Sequence, residues 1–438
     1  MGARPRRRAA ADRLPLSTMA LNTSTSGICI IASISDKAAY RFCRLLNTSG
    51  QVYCPPHRLL KPFGKVRTDP MIDYNQQILT PYDIGNRSLR NRLAVAPMTR
   101  VSATEAGLAT AEIARYYERF AKGGFGLIIT EGLYTDQKYA QGYPFQPGLS
   151  DVEQAKAWRG VTDLIRAQNG SVFAQLMHAG ALNQGNRFET ATAAPSVVRP
   201  KGTQMKFYYG EGQYPLPQAM SDEDIADAIA GFAQAAVLAT HTAGFDGIEI
   251  HGANGYLLDQ FLTDYTNQRD DRWGGNVKAR LGLTLEVIKA VKAAVGTLAP
   301  VGVRTSQSKV NDYEHKWAEG EAAAEVIFGS LTDAGVDFIH VTEFEAWKPA
   351  FIEGNASLVE LARRYAPQIP IIANGGLDVP HHAEQVLRDG ADMIALGKAA
   401  LANPDLPRRL ATHTALTEFD SAILGPIANI KDSELALA

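Results

Sequence analysis

The feature that most constrains this chain is a rhythm. From Leu93 onward eight short apolar or β-branched runs recur: "LAVAP" (93–97), "GLIIT" (126–130), "VFAQL" (172–176), "GIEI" (247–250), "VGVRT" (301–305), "FIHVT" (338–342), "PIIAN" (370–374) and "DMIAL" (392–396). Longer segments with helical spacing lie between them. In 221–244, Ile225, Ile229, Phe232 and Ala236 mark one face, and Ser221 is suited to cap the start. Asp222, Glu223 and Asp224 complement the helix dipole there, and Gly244 is suited to end the helix. Strand and helix alternating eight times predicts a TIM (β/α)8 barrel, a parallel sheet closed on itself with helices outside. A doubly wound open sheet alternates in the same way, and the count of eight disfavours it.

The segment from 177 to 220 is too long for a simple connection. It carries "GNRFETATAAPSVVRPKGTQMKFYYGEGQYPLPQ", whose Gly, Pro and aromatic content predicts a lid or capping subdomain over one barrel mouth. We therefore divide the chain into a basic, disordered leader over 1–70, a ligand-binding barrel over 71–410 and a C-terminal tail over 411–438. The tail, with "AILGPIANI", can cover the barrel or pack on a neighbour.

Hydrophobic content of 45%, charged content of 21% and a net charge of −2 describe an ordinary globular protein and point to neither nucleic acid nor membrane as a partner. No apolar run approaches the ~18 residues that a membrane span requires. The charge is uneven: up to Pro70 there are 12 Lys and Arg against 3 Asp and Glu, so the remainder carries −11. All three cysteines, Cys29, Cys43 and Cys54, lie in that leader, so the body holds no disulfide, thiolate cluster or cysteine nucleophile. We expect a cytoplasmic protein. The leader is rich in Arg, Ser and Thr and resembles a transit peptide, yet Met71 opens "MIDYNQQILTPYDIGNRSLRNRL" as a natural start would. Targeting segment and upstream-translated extension both stay open, as do monomer and homo-oligomer.

In a barrel of this kind chemistry sits where strands end. Thr99 follows the first run, Glu131 and Gly132 the second, Gln175 and His178 the third, and His251, Asn254 and Tyr256 the fourth. Arg304 lies within the fifth, Asn374, Gly375 and Gly376 follow the seventh, and Gly397 and Lys398 the eighth. Two adjacent glycine-bearing ends let backbone N–H groups approach phosphate oxygens, and Lys398 adds positive charge, so a phosphorylated ligand is expected. Thr99, Gln175 and Arg304 supply hydrogen bonds without a carboxylate cluster, which suits a flat heteroaromatic with carbonyl and imide edges. On the residues alone Arg304 serves equally as an ion pair holding the barrel, and Gln175 and Thr99 as partners of core backbone. His251 and Asn254 can both donate to one acceptor oxygen, and Tyr256 offers a phenol as proton donor. A metal-dependent hydrolase would have to unite His178, His251 and His340, and the sequence lacks the dense ligand set such sites need. No metal is expected.

Across about residues 78–410 the chain resembles the old yellow enzyme family, flavin-dependent ene-reductases on a TIM barrel. The resemblance rests on "NRLAVAPMTR", "GGFGLIITEG", "VFAQLMHAG", "IHGANGYLLDQFL", "NQRDDRWGGN", "VGVRTS", "IIANGG" and "ADMIALGKAALANPDLP", all in the family's order. It implies non-covalent FMN, NAD(P)H as reductant and a small activated alkene as substrate. It further implies that Pro97, Met98 and Thr99 line the flavin, that Gly132 gives the ring room, and that Gln175 holds the pyrimidine edge. Arg304 would sit near N1, with Asn374, Gly375, Gly376, Gly397 and Lys398 around the phosphate. His251 and Asn254 would bind the substrate oxygen and Tyr256 would protonate the α-carbon. The chain departs from the pattern at Lys398, where arginine is usual, and at Trp273 in the "YGG" loop. Arg100 follows Thr99 with no cysteine nearby, unlike the branch that tunes its flavin with a thiol.

Overall fold

The structure, a computed structural model, describes residues 74–436, so the leader expected over 1–70 lies outside it. Eight strands form a closed parallel barrel: β1 (Leu93–Val95), β2 (Leu127–Tyr134), β3 (Ser171–Met177), β4 (Gly247–Asn254), β5 (Val301–Lys309), β6 (Phe338–Thr342), β7 (Ile371–Asn374) and β8 (Met393–Leu396). β8 pairs with β1, which excludes an open sheet. Each of the eight runs singled out in the sequence falls on one of these strands, and β2, β3, β4 and β5 extend beyond their runs. The outer layer is built by α1 (Ala111–Gly123), α2 (Val152–Ala167), α3 (Asp222–Val237), α4 (Gly282–Val295), α5 (Glu321–Asp333), α6 (Leu358–Tyr365), α7 (Pro380–Arg388) and α8 (Leu406–Ala411). α3 starts as its sequence demands: the Ser221 side chain accepts from Asp224 N while the Asp224 side chain accepts from Ser221 N, a reciprocal cap. One wide turn, Leu238–Ala243, extends it to Gly244, whose φ of 77° ends the run.

Side-chain alternation along the strands separates two cores. Val172, Ala174 and Leu176 of β3 face the helices, whereas Phe173 and Gln175 face the barrel axis. At the base the Phe173 and Phe338 rings lie 5.6 Å apart, packed with Leu127, Ile372 and Met393. Glycine makes this possible: a Cβ on Gly247 would come within 2.5 Å of the Phe173 ring, and one on Gly302 within 2.4 Å of Phe338. The antiparallel hairpin Tyr82–Ile84 and Arg87–Leu89 adds Ile84 and Leu89 to the same cluster and closes the base. Towards the other mouth the inward residues turn polar, through Gln175, Glu249 and His340 to Arg304, Thr342 and Asn374.

The long connection between β3 and α3 contains the paired segments Ala193–Ala194 and Gln218–Ala219 and a short helical turn, Lys206–Tyr208. Met205, Phe207 and Tyr208 reach the cavity at this mouth, as expected of a lid. Of the two placements open to the tail, the described part adopts the first and covers the barrel. Ala428 N donates to Phe207 O at 2.8 Å, and Leu424 reaches the cavity wall. Its anchor is Glu434, whose carboxylate is 1% exposed and receives Arg100 at 2.6 Å and Arg119 at 3.4 Å. Removing one partner of a buried charge cluster strands the others. Glu434→Ala should therefore cost ~3–5 kcal/mol, read as a lowered midpoint in chemical denaturation, and should expose the tail to limited proteolysis while the barrel stays intact.

Candidate active site

The C-terminal mouth opens into a cavity of about 350 Å³. Its walls include Pro97, Met98, Thr99, Gly132, Gln175, His251, Asn254, Tyr256, Arg304, Gly397 and Lys398. A neighbouring groove of about 430 Å³ is lined by Asn374, Gly375 and Gly376 and shares Gly397 and Lys398 with the cavity. Every residue expected to hold the flavin or the substrate thus borders one elongated depression, whereas the strand-end residues Glu131 and His178 do not.

Asn254 reaches it by an irregularity. His251 and Asn254 are three residues apart, and on a regular strand they would face opposite sides. The pairing of β4 with β5 slips between Gly252 and Asn254, and Asn254 adopts φ of 63° followed by Gly255 at 88°. That turn brings both side chains to the cavity. Asn254 N donates to Ser306 Oγ at 2.9 Å, and Val310 N donates to Asn254 O at 3.1 Å, so β5 braces the strained residue.

Beneath the cavity lies a buried polar layer. Gln175 Nε2 donates to Glu249 Oε1 at 2.8 Å, and His340 Nδ1 meets Glu249 Oε2 at 2.7 Å. Arg304 Nη2 donates to Thr342 Oγ1 at 3.1 Å and Asn374 Oδ1 at 2.9 Å. Of the two readings open for Arg304, the ion pair is not formed, since its bonds go to the neutral oxygens of Thr342 and Asn374 and among the described residues it makes no salt bridge. Asn374 borders the groove, but its amide is engaged by Arg304, Thr342 and the Ala395 carbonyl. Beside Gly132 the room is taken by Met177, whose Sδ lies 2.4 Å from where a Cβ would stand.

On the side chains that line the cavity, the buried nitrogens Arg304 Nε and His251 Nδ1 have no partner among the described residues. Burial pushes the His251 imidazole well below its ordinary range, and the charges of Arg304 and His340 push it the same way. It is therefore neutral, with one ring nitrogen donating and one accepting. Burial raises the Tyr256 phenol to about 12. The Tyr143 and Tyr256 hydroxyls meet at 2.5 Å. Either hydroxyl can be the donor; with Tyr143 donating, the hydrogen of Tyr256 is left for the cavity. The His251 and Tyr256 rings meet edge to face at 4.9 Å.

Unpartnered polar atoms, a cationic guanidinium, an aromatic-sized slot and a glycine-edged groove fit a flavin mononucleotide. The family profile described as NADH:flavin oxidoreductase / NADH oxidase matches residues 77–417. The chain belongs to that family. This flavin oxidoreductase is 33% identical over 348 residues to 12-oxophytodienoate reductase 2 of Arabidopsis thaliana, covering 78% of this chain and 90% of the relative. Among solved structures it is similar to morphinone reductase in complex with tetrahydroNAD, at 29% identity and a TM-score of 0.69, covering 79% of this chain and 93% of the other. It is also similar to the old yellow enzyme homologue from Zymomonas mobilis, at 29% identity and a TM-score of 0.73, covering 83% and 99%. The old yellow enzyme resemblance read from the motifs therefore holds. The chain is an enzyme of the ene-reductase class, with FMN as cofactor and a reduced nicotinamide as electron source. Among the described residues no helix is long and apolar enough to cross a membrane, and no group of three His, Cys, Asp or Glu can hold a metal ion.

The sequence reading missed Tyr143, Tyr208, Met177 and Glu249. Tyr143 sits in a loop, "QGYPFQPG", with no periodicity to betray it. Glu249 alternates with Ile248 and Ile250, and that pattern already implied an inward carboxylate. His178 lies away from the cavity: its Nδ1 accepts from Gly180 N at 3.1 Å.

His178, His251 and His340 are all buried with lowered pKa. The unfolded chain protonates them near pH 6.5, whereas the folded chain resists, so their contribution is intact above that pH and is lost on acidification. Glu131 runs the other way: burial raises it to about 7, so its contribution is present below the unfolded carboxyl value and lost as pH rises through 7. The three histidines outnumber the one carboxyl. The unfolding temperature should fall between pH 7 and pH 5, and Glu131→Gln should steepen that fall by removing the opposing group.

Proposed function

We propose that the enzyme passes hydride from NAD(P)H, through N5 of non-covalently held FMN, to the β-carbon of an activated alkene, an α,β-unsaturated carbonyl or nitro compound, with Tyr256 as proton donor. The observation that carries this reading is that His251, Asn254 and Tyr256 border the same cavity as Thr99, Gln175 and Arg304. What FMN supplies when bound is two-electron transfer at one ring position; binding, polarising and proton delivery fall to the chain.

Pro97, Met98, Thr99 and Gly132 would hold the ring, Pro97 and Met98 by apolar contact and Thr99 by hydrogen bonding its O4 side. Glu249 takes the amide hydrogens of Gln175, which leaves the Gln175 carbonyl oxygen to accept from the imide N–H of the pyrimidine edge. Arg304 supplies a fixed positive charge for the N1 side. Asn374 acts by holding Arg304, while Gly375, Gly376 and Gly397 offer backbone N–H groups to the phosphate. Lys398 adds a point charge without the bidentate fork of an arginine.

Neutral His251 and the Asn254 amide each donate to the substrate's carbonyl or nitro oxygen, stabilising the negative charge that develops there as hydride arrives at the β-carbon. Tyr256 stays protonated at neutral pH and gives its proton to the α-carbon, so its value lies in position rather than in a lowered pKa. Tyr143, donating to the same oxygen, stabilises the phenolate left behind.

An anaerobic absorption experiment tests the reading. Addition of NADPH should bleach the flavin bands, and 2-cyclohexenone should restore them; bleaching without recovery would remove the alkene as oxidant. Tyr256→Phe should slow recovery by ~10²–10⁴-fold while bleaching proceeds, and recovery at the parent rate would take the proton role from Tyr256.

A further inference from the structure

Behind the turn that carries Asn254 and Tyr256, and outside the cavity itself, lies an ion pair the mechanism does not use. Lys309 ends β5 and Asp259 lies in the short helix Leu257–Leu262; their side chains are 2% and 0% exposed. Lys309 Nζ meets both carboxylate oxygens, at 2.9 and 2.8 Å. The same carboxylate accepts Gly255 N at 2.6 Å. Lys309 is also the register partner of Asn254 across the β4–β5 pairing.

The placement has a physical logic. Asn254 and Gly255 are consecutive left-handed residues, an arrangement that costs free energy and persists only where its surroundings over-determine it. Asp259 fixes the amide between Asn254 and Tyr256, and Lys309 fixes Asp259 against β5. A buried pair of opposite charges has one favourable geometry, whereas apolar contacts tolerate sliding. An apolar pair of equal volume would serve the fold as well, so stability alone does not explain why charge is buried here.

We propose that the Lys309–Asp259 pair is a positioning device that sets Asn254 and Tyr256 at the distances alkene reduction requires. Lys309 and Asp259 touch neither substrate nor cofactor and act through the Gly255 amide. The proposal rests on the roles given above to Asn254 and Tyr256.

The test compares the parent enzyme with Lys309→Met and with the double variant Lys309→Met/Asp259→Leu, all loaded with FMN and reduced by dithionite. Reoxidation is followed with 2-cyclohexenone and, separately, with dioxygen, which requires neither an oxygen-binding pair nor a positioned acid. The single variant strands a buried carboxylate and should unfold at lower temperature; the double variant strands no charge, leaves only the Gly255 N–H without its acceptor, and should recover most of that loss. With enone the double variant should still be ~10–100-fold slower, the scale of a catalytic group displaced by about 1 Å, while its dioxygen rate matches the parent. Its affinity for cyclohexanone, which can occupy the oxygen-binding pair without being reduced, should fall about tenfold, one decade in the dissociation constant, read from the perturbed flavin spectrum. A double variant that matches the parent with enone and cyclohexanone would overturn the proposal and leave the pair a structural one. Equal slowing with enone and dioxygen would overturn it as well, because the defect would then lie at the cofactor. If the parent enzyme itself is not reoxidised by enone, the fault lies with the proposed reaction and not with the pair.

Discussion

The active site depends on one buried charge. Glu249 faces inward from β4 with no exposure, and burying a carboxylate is tolerable only when its oxygens are met. One oxygen takes the Gln175 amide and the other takes His340. Each bond does two things: it satisfies the carboxylate, and it turns a neighbour. Gln175 is left with its carbonyl directed away from Glu249, and His340 is fixed in the wall beneath Arg304. The carboxylate also counters the guanidinium at a distance, which softens the cost of burying Arg304 without neutralising it through contact.

Where this layer meets solvent, the backbone is strained. Val101, a β-branched residue, adopts φ of 39°, and Asn254 adopts 63°. Both stand within three residues of a cavity-lining side chain that precedes them. Both are pinned from several directions: Arg100 N donates to Glu131 Oε2 at 2.8 Å, the Tyr208 hydroxyl donates to Thr99 O at 3.2 Å, and β5 braces the turn after β4. A regular strand would deliver every second side chain to the axis and nothing more. Departures from regularity let residues at odd separations reach one cavity, and buried hydrogen bonds hold those departures in place.

The barrel was legible because its signal repeats. Each of the eight strands shows as a short apolar run, and α3 shows through Ser221, its acidic first turn and Gly244. The strand-end residues were legible for the same reason, since a strand's end in the sequence is the mouth of the barrel in space. What escaped, Glu249 apart, has no periodic signature. Tyr143 reaches Tyr256 from a loop 113 residues away, and Arg100 meets Glu434 across 334 residues. The tail could be read as covering the barrel or meeting a neighbour because the partner of its one buried acid, Glu434, lies at the other end of the described chain. Arg304 could be read as an ion pair because composition reports a charge and not its partner; the neutral oxygens of Thr342 and Asn374 decide between the alternatives.

That choice of neutral partners shapes what the cavity will accept. A guanidinium bonded to a carboxylate is electrostatically spent, whereas one bonded to a hydroxyl and an amide keeps most of its field. In a buried site with little water that field favours negative charge developing beside it. The same field, together with burial, keeps His251 neutral, so the ring that borders the cavity is an imidazole rather than an imidazolium. The polar layer therefore places its positive charge on Arg304 and leaves the His251 and Tyr256 side chains neutral, a division fixed by which side chains β4, β5 and β7 turn towards the axis.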